Sequence, residues 1–165
     1  MATRKPPDAV QLLMQDHREV EQLFDAYGKL AESDDGSDED KRNLAQQICT
    51  MLQAHTTLEE EIFYPAVRDA IDEQDLLDEA EVEHASAKDL IALIMGSSPD
   101  EALYDARVQV LGEYVQHHVK EEEKELFPKV KKSELDLAAL GSEMLDRQQS
   151  LKVELGLAEG TEAPL

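Results

Sequence analysis

Two segments of the chain repeat one pattern of residues that can bind metal. The first runs from His55 to Pro65 as His-Thr-Thr-Leu-Glu-Glu-Glu-Ile-Phe-Tyr-Pro, and the second from His118 to Pro128 as His-Val-Lys-Glu-Glu-Glu-Lys-Glu-Leu-Phe-Pro. In each, a histidine precedes a glutamate by four residues, which places an imidazole and a carboxylate on one face of a helix. Imidazole nitrogen and carboxylate oxygen are both ligands for divalent metal ions. Two such helices that face each other are therefore predicted to hold metal between them.

Apolar residues at helical spacing predict the elements that position these segments. We expect four long helices and a shorter fifth one, over residues 8 to about 31, 37 to about 71, 74–95, 98 to beyond 128, and 133 to about 155. The residues expected to cap their starts are Asp8 with Gln11, Ser37, Ser98 with Glu101, and Ser133. Pro65 and Pro128 each remove a helical hydrogen bond, so a bend or an end of the helix is expected at both points.

The order and spacing of these helices predict the fold class. No stretch of useful length alternates apolar and polar residues with a period of two, so no sheet is expected, and short connections favour antiparallel neighbours. We therefore expect an all-α protein, an up-down-up-down antiparallel four-helix bundle with an additional C-terminal helix. The expected division of the chain is a flexible N-terminus over 1–7, the bundle over 8–131, the C-terminal helix over 132–155 and a flexible tail over 156–165.

Four of the five histidines lie on apolar helical faces, one on each long helix. At about 100° per residue, they fall on the stripes that face the core, and they are His17, His55, His84 and His118. A single inward histidine is more often a core residue bonded to a backbone carbonyl than a metal ligand. Four of them, buried with the carboxylates of Glu59 and Glu122, are different, because each group needs a partner or a shifted pKa. A metal supplies that partner, and the oxygen-rich donor set favours iron or manganese over a thiolate-type zinc site.

The charge of the chain limits what it is expected to bind. Its 38 acidic and 16 basic residues give a formal net charge of -22, which repels nucleic-acid phosphates and anionic lipid. No nucleic-acid or membrane role is expected, and no run approaches the roughly 20 apolar residues of a membrane span. The lone cysteine, Cys49, excludes an internal disulfide, and the N-terminus lacks the apolar stretch of a signal peptide. A cytoplasmic location is expected.

These residues and their order resemble the hemerythrin-like domains, also called HHE cation-binding domains. The resemblance rests on Asp16-His17-Arg-Glu-Val20, on Glu83-His84 and on the two His-x-x-x-Glu motifs, and it covers roughly residues 8–131. It implies a bundle around a non-haem pair of iron ions with an oxo or hydroxo bridge, manganese or zinc being less favoured. Glu59 and Glu122 would be the bridging carboxylates. The implied ligands are His17, His55, Glu59, His84, His118 and Glu122.

The third helix departs from the pattern of the animal hemerythrins. These carry a second histidine one turn after the first, where this chain has Lys88. A lysine ammonium cannot ligate iron unless it is deprotonated. Glu21, Glu81 or water are the candidates for the missing ligand, and a salt bridge between Glu21 and Lys88 is the alternative account of both residues.

The fourth helix offers two adjacent histidines. The spacing of the animal proteins would pair His117 with Glu122, whereas the internal repeat pairs His118 with Glu122. Pro128 follows His118 by the same ten residues that separate Pro65 from His55, so the repeat selects His118. We expect His117 to be partly exposed or to act as an outer hydrogen-bond partner.

The sequence leaves two classes of function open. The first is a binding or sensing protein whose di-iron centre takes up oxygen, nitric oxide, peroxide or ferrous iron. The second is an enzyme in which the same centre degrades peroxide in a catalase-like reaction or oxidises ferrous iron. A metal-free acidic interaction protein is the alternative without chemistry. A monomer or a weak homodimer is expected in each case.

Overall fold

The computed structural model describes residues 5–33 and 37–156. Within these ranges the chain forms five helical rods joined by short connections. They are α1 (Ala9–Glu32), α2 (Asp38–Leu58, Glu59–Phe63 and Tyr64–Ala70), α3 (Gln74–Met95), α4 (Tyr104–Glu121, Glu122–Leu126 and Phe127–Lys131) and α5 (Leu137–Glu154). The segments expected to be flexible, 1–7 and 156–165, lie for the most part outside the described residues. No helix in the described ranges is long and apolar enough to cross a membrane.

The predicted fold class is confirmed. The four long helices form an antiparallel bundle in which α1 packs against α2 and α4, and α3 packs against the same two helices. Helices α1 and α3 are therefore diagonal neighbours. The additional helix α5 packs along the outside of α1 and α2.

The bundle core consists of two apolar clusters separated along the helix axes. One cluster contains Leu13, Phe63 and Phe127 and includes residues of α5, and the other contains Ile48 and Ile91. On α1, α3 and α4, the inward histidine falls between the residues of the two clusters, and on α2 His55 lies at the edge of the first cluster, next to Ala54. The polar side chains thus form a layer that apolar packing shields from solvent on both sides.

Two of the expected helix starts are present. Asp8 and Gln11 form a complete capping box at α1, with the Gln11 N–H donating to the Asp8 carboxylate at 2.8 Å and the Gln11 amide oxygen accepting from the Asp8 N–H at 3.0 Å. Ser37 caps α2 by accepting from the Asp40 N–H at 3.0 Å. These caps satisfy backbone donors that the first helical turn leaves free.

The expected start of the fourth helix at Ser98 is wrong, because α4 begins at Tyr104. Half of the capping box forms, since Glu101 accepts from the Ser98 N–H at 2.8 Å. The Ser98 hydroxyl, however, accepts from Arg42 of α2 at 3.0 Å. The backbone then makes two tight turns, with the Glu101 N–H bonded to the Ser98 carbonyl and the Tyr104 N–H to the Glu101 carbonyl.

The expected cap of the fifth helix is also wrong. The Ser133 hydroxyl donates to the Val130 carbonyl at 2.6 Å and accepts from the Leu135 N–H at 3.2 Å, so it ends α4 instead of starting α5. Asp136 is the cap, accepting from the Ala139 N–H at 3.0 Å. Asp136 and Ser133 are both good capping residues, and contact with the end of α4 decides between them.

Helices α2 and α4 each contain a π-helical turn that begins at the glutamate of the repeated motif. The turns are Glu59–Phe63 and Glu122–Leu126, and each is closed by the N–H of the residue before the proline, which donates to the carbonyl of that glutamate. The helix continues past Pro65 and Pro128. The irregularity expected at the prolines thus takes the form of a wide turn, and such turns are frequent at functional sites.

Candidate metal centre

The structure brings the six side chains singled out in the sequence into one layer inside the bundle. One group of donor atoms comes from His17, His55, Glu59 and Glu122, and a second from Glu59, His84 and His118, with all donors of a group within 4.8 Å of one another. Glu59 belongs to both groups and is fully buried. The layer therefore contains two adjoining groups of donors that could hold a cation, with one carboxylate in common.

The distances within the layer match the spacing of ligands around a metal ion. In the first group, His17 Nε2 lies 3.2 Å from Glu122 Oε1, and His55 Nε2 lies 3.5 Å from Glu59 Oε1. In the second, His84 Nε2 lies 3.1 Å from Glu59 Oε1. Ligand atoms that bind one ion at about 2.0–2.2 Å lie about 3.0–3.5 Å from each other.

Glu122 spans the two groups through its two oxygens. Its Oε1 faces His17, and its Oε2 lies 3.3 Å from His118 Nε2. The same His118 nitrogen lies 3.9 Å from Glu59 Oε1. Both carboxylates thus lie close to histidines of both groups.

Five donor atoms of this layer are buried without a hydrogen-bond partner among the described residues. They are His17 Nε2, His55 Nε2, both carboxylate oxygens of Glu59 and Glu122 Oε1. Buried polar atoms are nearly always satisfied, because an unpaired one costs about 1–3 kcal/mol or more when charged. All five orphaned atoms face one small volume, which is the arrangement that a bound cation satisfies. The residues present therefore fit a metal.

Every histidine of the layer is held by a carboxylate at its other ring nitrogen. A carboxylate at Nδ1 fixes the ring orientation and leaves Nε2 free for a metal. The pairs and their Nδ1 to oxygen distances are His17 with Glu123 at 2.8 Å, His55 with Asp16 at 2.9 Å, His84 with Glu60 at 2.8 Å and His118 with Glu83 at 2.7 Å.

Sequence reasoning alone misses these four outer carboxylates, although the repeat carries a signal for them. Asp16 and Glu83 each directly precede an inward histidine, and Glu60 and Glu123 each directly follow an inward glutamate. Each holds a histidine of another helix, not of its own. The pattern becomes informative only once the helix neighbours are known.

The carboxylates and imidazoles of the layer shift each other's pKa values. Burial opposes a charge on His55, but Glu59 and Asp16 outweigh it and raise the pKa of His55 well above its usual range. Burial likewise opposes a charge on His118, whose pKa is raised well above its usual range by Glu122 and Glu59. Burial alone would raise the pKa of Glu59, yet His55 and the other imidazoles lower it well below its usual range. The layer thus favours positive charge beside its carboxylates.

Tyr64 is a further member of the layer that the sequence does not reveal. Its phenol donates to Glu122 Oε2 at 2.5 Å and lies 3.2 Å from His118 Nε2 and 3.4 Å from His84 Nε2. Burial and the charge of Glu122 raise the pKa of Tyr64 well above its usual range. Its sequence signal is a difference between the two copies of the repeat: the position of Tyr64 in the first copy is Phe127 in the second, which has no hydroxyl.

The alternative account of Glu21 and Lys88, a salt bridge between them, is wrong. Lys88 Nζ instead lies 2.7 Å from Glu60 Oε1, and the other oxygen of Glu60 holds His84. Glu21 is on α1, which is diagonal to α3, so the two side chains do not meet. Glu21 and Glu81 are both exposed, and neither belongs to the two donor groups.

His117 and His118 occupy different environments. The His118 ring reaches the layer, whereas the His117 side chain is 68% exposed, with Nε2 lying 3.6 Å from Glu83 and 3.7 Å from Glu121. The structure therefore has the register of the internal repeat, in which His118 and Glu122 share a face.

An apolar cavity of about 40 Å³ adjoins the histidine rings. Its lining includes the four inward histidines and two of the outer carboxylates, Asp16 and Glu83. Its apolar walls include Val20, Met51, Leu52, Ala87, Ile91 and Val115. A water molecule needs about 10–15 Å³ of such volume. The cavity therefore has room for a molecule of two to four atoms beside the layer.

A buried histidine and glutamate layer inside a four-helix bundle defines a metal-binding helical-bundle protein. Residues 8–130 match the model of the hemerythrin HHE cation-binding domain, and the chain belongs to that family.

Two known proteins are similar to this chain. It is 32% identical over 124 residues to a DNA nickase from Nostoc sp., a match that covers 73% of this chain and 32% of that protein. The chain thus spans about a third of that relative's length. A crystal structure of a hemerythrin HHE cation-binding domain-containing protein from Mycobacterium kansasii has the same fold, with a TM-score of 0.74 and 22% identity, over 96% of this chain and 95% of that one.

Proposed function

We propose that this protein is a non-haem di-iron protein that binds or senses a small molecule at the buried layer. The carrying observation is the pair of donor groups that share Glu59, together with the orphaned buried atoms of the first group. We infer that His17 and His55 hold one ion and that His84 and His118 hold the other. Glu59 and Glu122 would bridge the pair, as the two oxygens of Glu122 already face opposite groups.

The donor set supports iron as the resident metal. Imidazole and carboxylate donors suit iron, and neither donor group contains a thiolate. When bound, a pair of iron ions would supply electron transfer and a coordination position for an outside ligand. The Tyr64 hydroxyl lies within 3.4 Å of both histidines of the second group, and we infer that it is an additional oxygen ligand of this group.

The apolar cavity supports an uncharged small molecule as the ligand. Its volume admits oxygen, nitric oxide or peroxide, and its accessible lining is almost entirely apolar, which favours an uncharged ligand. Nucleic acid is not part of the proposal. The Nostoc relative is named for its action on DNA, but the match covers only about a third of it, and the net charge of -22 repels phosphates.

A di-iron enzyme is the second candidate, and the surroundings of His84 favour it. Lys88 turns away to Glu60, so α3 provides one imidazole where the animal proteins provide two. Tyr64 also holds a proton beside the layer. A second donor group with fewer imidazole ligands and a nearby proton donor supports turnover of peroxide or oxidation of ferrous iron.

Metal analysis followed by spectroscopy tests both candidates. After anaerobic reconstitution with ferrous iron, we expect two iron ions per chain, and fewer than one would overturn the proposal. The optical spectrum is then recorded before and after exposure to oxygen, nitric oxide or peroxide, with gas evolution measured in parallel. A stable, reversible adduct supports binding, whereas sustained oxygen release from peroxide or continued oxidation of added ferrous iron supports the enzyme.

Filling the cavity is expected to block the ligand without removing the metal. Ala87→Leu adds bulk to the cavity wall, while the matched change Ala85→Leu lies on the exposed side of the same helix. Steric exclusion from such a pocket is worth about tenfold or more, so the rate of adduct formation should fall by that amount in Ala87→Leu only. Both variants should retain the wild-type iron content. Equal adduct rates in the two variants would show that the ligand does not use this cavity.

A further inference from the structure

Helix α5 contributes a buried polar side chain to the surroundings of the metal layer, although it lies outside the four-helix bundle. Gln148 is 7% exposed, and its amide donates to Asp16 at 3.1 Å and 3.3 Å, one distance to each carboxylate oxygen. Asp16 in turn lies 2.9 Å from His55 Nδ1. An unbroken chain of hydrogen bonds therefore runs from α5 to the ring whose Nε2 faces the layer.

The position of Gln148 on α5 is one where packing favours an apolar residue. Met144 and Leu151, one turn to either side on the same face, are buried in the apolar core. Burying an amide there is unfavourable unless it is hydrogen-bonded. Asp16 is the partner that satisfies it. The polar residue thus interrupts the apolar stripe of α5 at the one point that contacts the outer carboxylate.

Helix α5 packs closely against α1 at Gly141 and against α2 at Arg147. At Gly141, an added Cβ would lie 2.6 Å from the Pro7 carbonyl oxygen and 2.7 Å from the Ala9 nitrogen, so only glycine permits this approach to the start of α1. Further along, Arg147 Nε lies 2.9 Å from Glu61 in the π-helical turn of α2. These contacts fix the helix on α1 and α2, two of the three helices that carry the first donor group.

We propose that Gln148 is a positioning residue of the metal centre, and that α5 thereby controls how tightly the centre retains metal. Gln148 holds the Asp16 carboxylate, which keeps the Nδ1–H of His55 pointing outward and its Nε2 lone pair pointing inward. The inference rests on the proposed di-iron function. Outer hydrogen-bond partners of ligands typically change metal affinity by about 10–100-fold.

Release of iron to a chelator from the full-length, iron-loaded chain tests the role of Gln148. Gln148→Leu removes the amide, and leucine suits the apolar stripe. The matched control is Gln149→Leu, the same substitution at the next residue, which is exposed. Release should be about tenfold faster in Gln148→Leu and unchanged in Gln149→Leu. Equal release rates in the two variants would overturn the proposal.

A double-mutant cycle separates positioning from a general effect on folding. If Gln148 acts through Asp16, then Gln148→Leu should have no further effect on iron release in an Asp16→Ala background. The same acceleration in both backgrounds would show that Gln148 acts elsewhere and would refute the proposal.

The proton on His55 provides a readout that does not need metal. In the metal-free chain, a slowly exchanging imidazole N–H signal of His55 is expected in the nuclear magnetic resonance spectrum of the wild-type and Gln149→Leu chains. It should exchange much faster in Gln148→Leu. An unchanged signal in that variant, or no such signal in the wild type, would count against Gln148 even if two iron ions bind. A wild-type chain that shows the signal but binds no iron would instead contradict the di-iron function.

Discussion

A Glu59→Gln variant is expected to lose both metal ions, not one. Glu59 is the residue common to the two donor groups, it is fully buried, and neither of its carboxylate oxygens has a hydrogen-bond partner among the described residues. The amide has nearly the same shape, but it replaces one oxygen by a donor and removes the charge. Loss of a bridging ligand should exceed the roughly 100-fold upper effect of an outer partner. Iron content after reconstitution and desalting should fall below one ion per chain.

A control for Glu59→Gln is available in the matching turn of α4. Glu125→Gln removes an equal charge at an exposed position of the turn Glu122–Leu126. This variant should retain two iron ions per chain. If Glu59→Gln also bound two ions with wild-type affinity, the carboxylate would not be shared, and the division of the layer into two adjoining sites would be wrong.

His118→Ala and His55→Ala are each expected to abolish stoichiometric binding of the metal pair, whereas His117→Ala is not. His118 Nε2 faces Glu122 and Glu59 inside the layer, and His55 provides an orphaned Nε2 on the opposite side. His117 is directed to solvent. Iron content and the near-ultraviolet spectrum of the loaded protein report the outcome.

The comparison of adjacent histidines tests the register of α4 directly. His117→Ala removes the same ring one residue away on the same helix, so differences in helix propensity or net charge are matched. Equal loss of iron in His117→Ala and His118→Ala would contradict the register taken from the internal repeat. Loss in His117→Ala alone would favour the spacing of the animal proteins.

The outer carboxylates give the layer an internal symmetry. Asp16 and Glu83 each precede a histidine on a diagonal pair of helices, and each holds the histidine of the motif-bearing helix beside it. The surroundings of Asp16 and of Glu83 nevertheless differ. Gln148 of α5 supports Asp16, while Glu83 lies near the exposed His117. The two donor groups are therefore supported differently, one by a docked helix and the other from the protein surface.

The helices, most of their ends and the inward direction of the donors follow from local features of the sequence. Helical periodicity is local, so the position of His17 or Glu122 relative to its own apolar stripe fixes the face on which it lies. The internal repeat also selected His118 over His117 without reference to any other element. Caps were predictable where the competing groups were local, as at Asp8.

Which helices are neighbours, and which polar groups meet across them, depends on the tertiary structure. Lys88 pairs with Glu60 because α2 is adjacent to α3, whereas Glu21 lies on the diagonal helix. Helix α4 starts at Tyr104 and not at Ser98, because Arg42 of α2 binds the Ser98 hydroxyl that would have capped it. Gln148 meets Asp16 across 132 residues of chain. Contacts between distant segments depend on packing angle and register, and these are set by the whole core and not by any one helix.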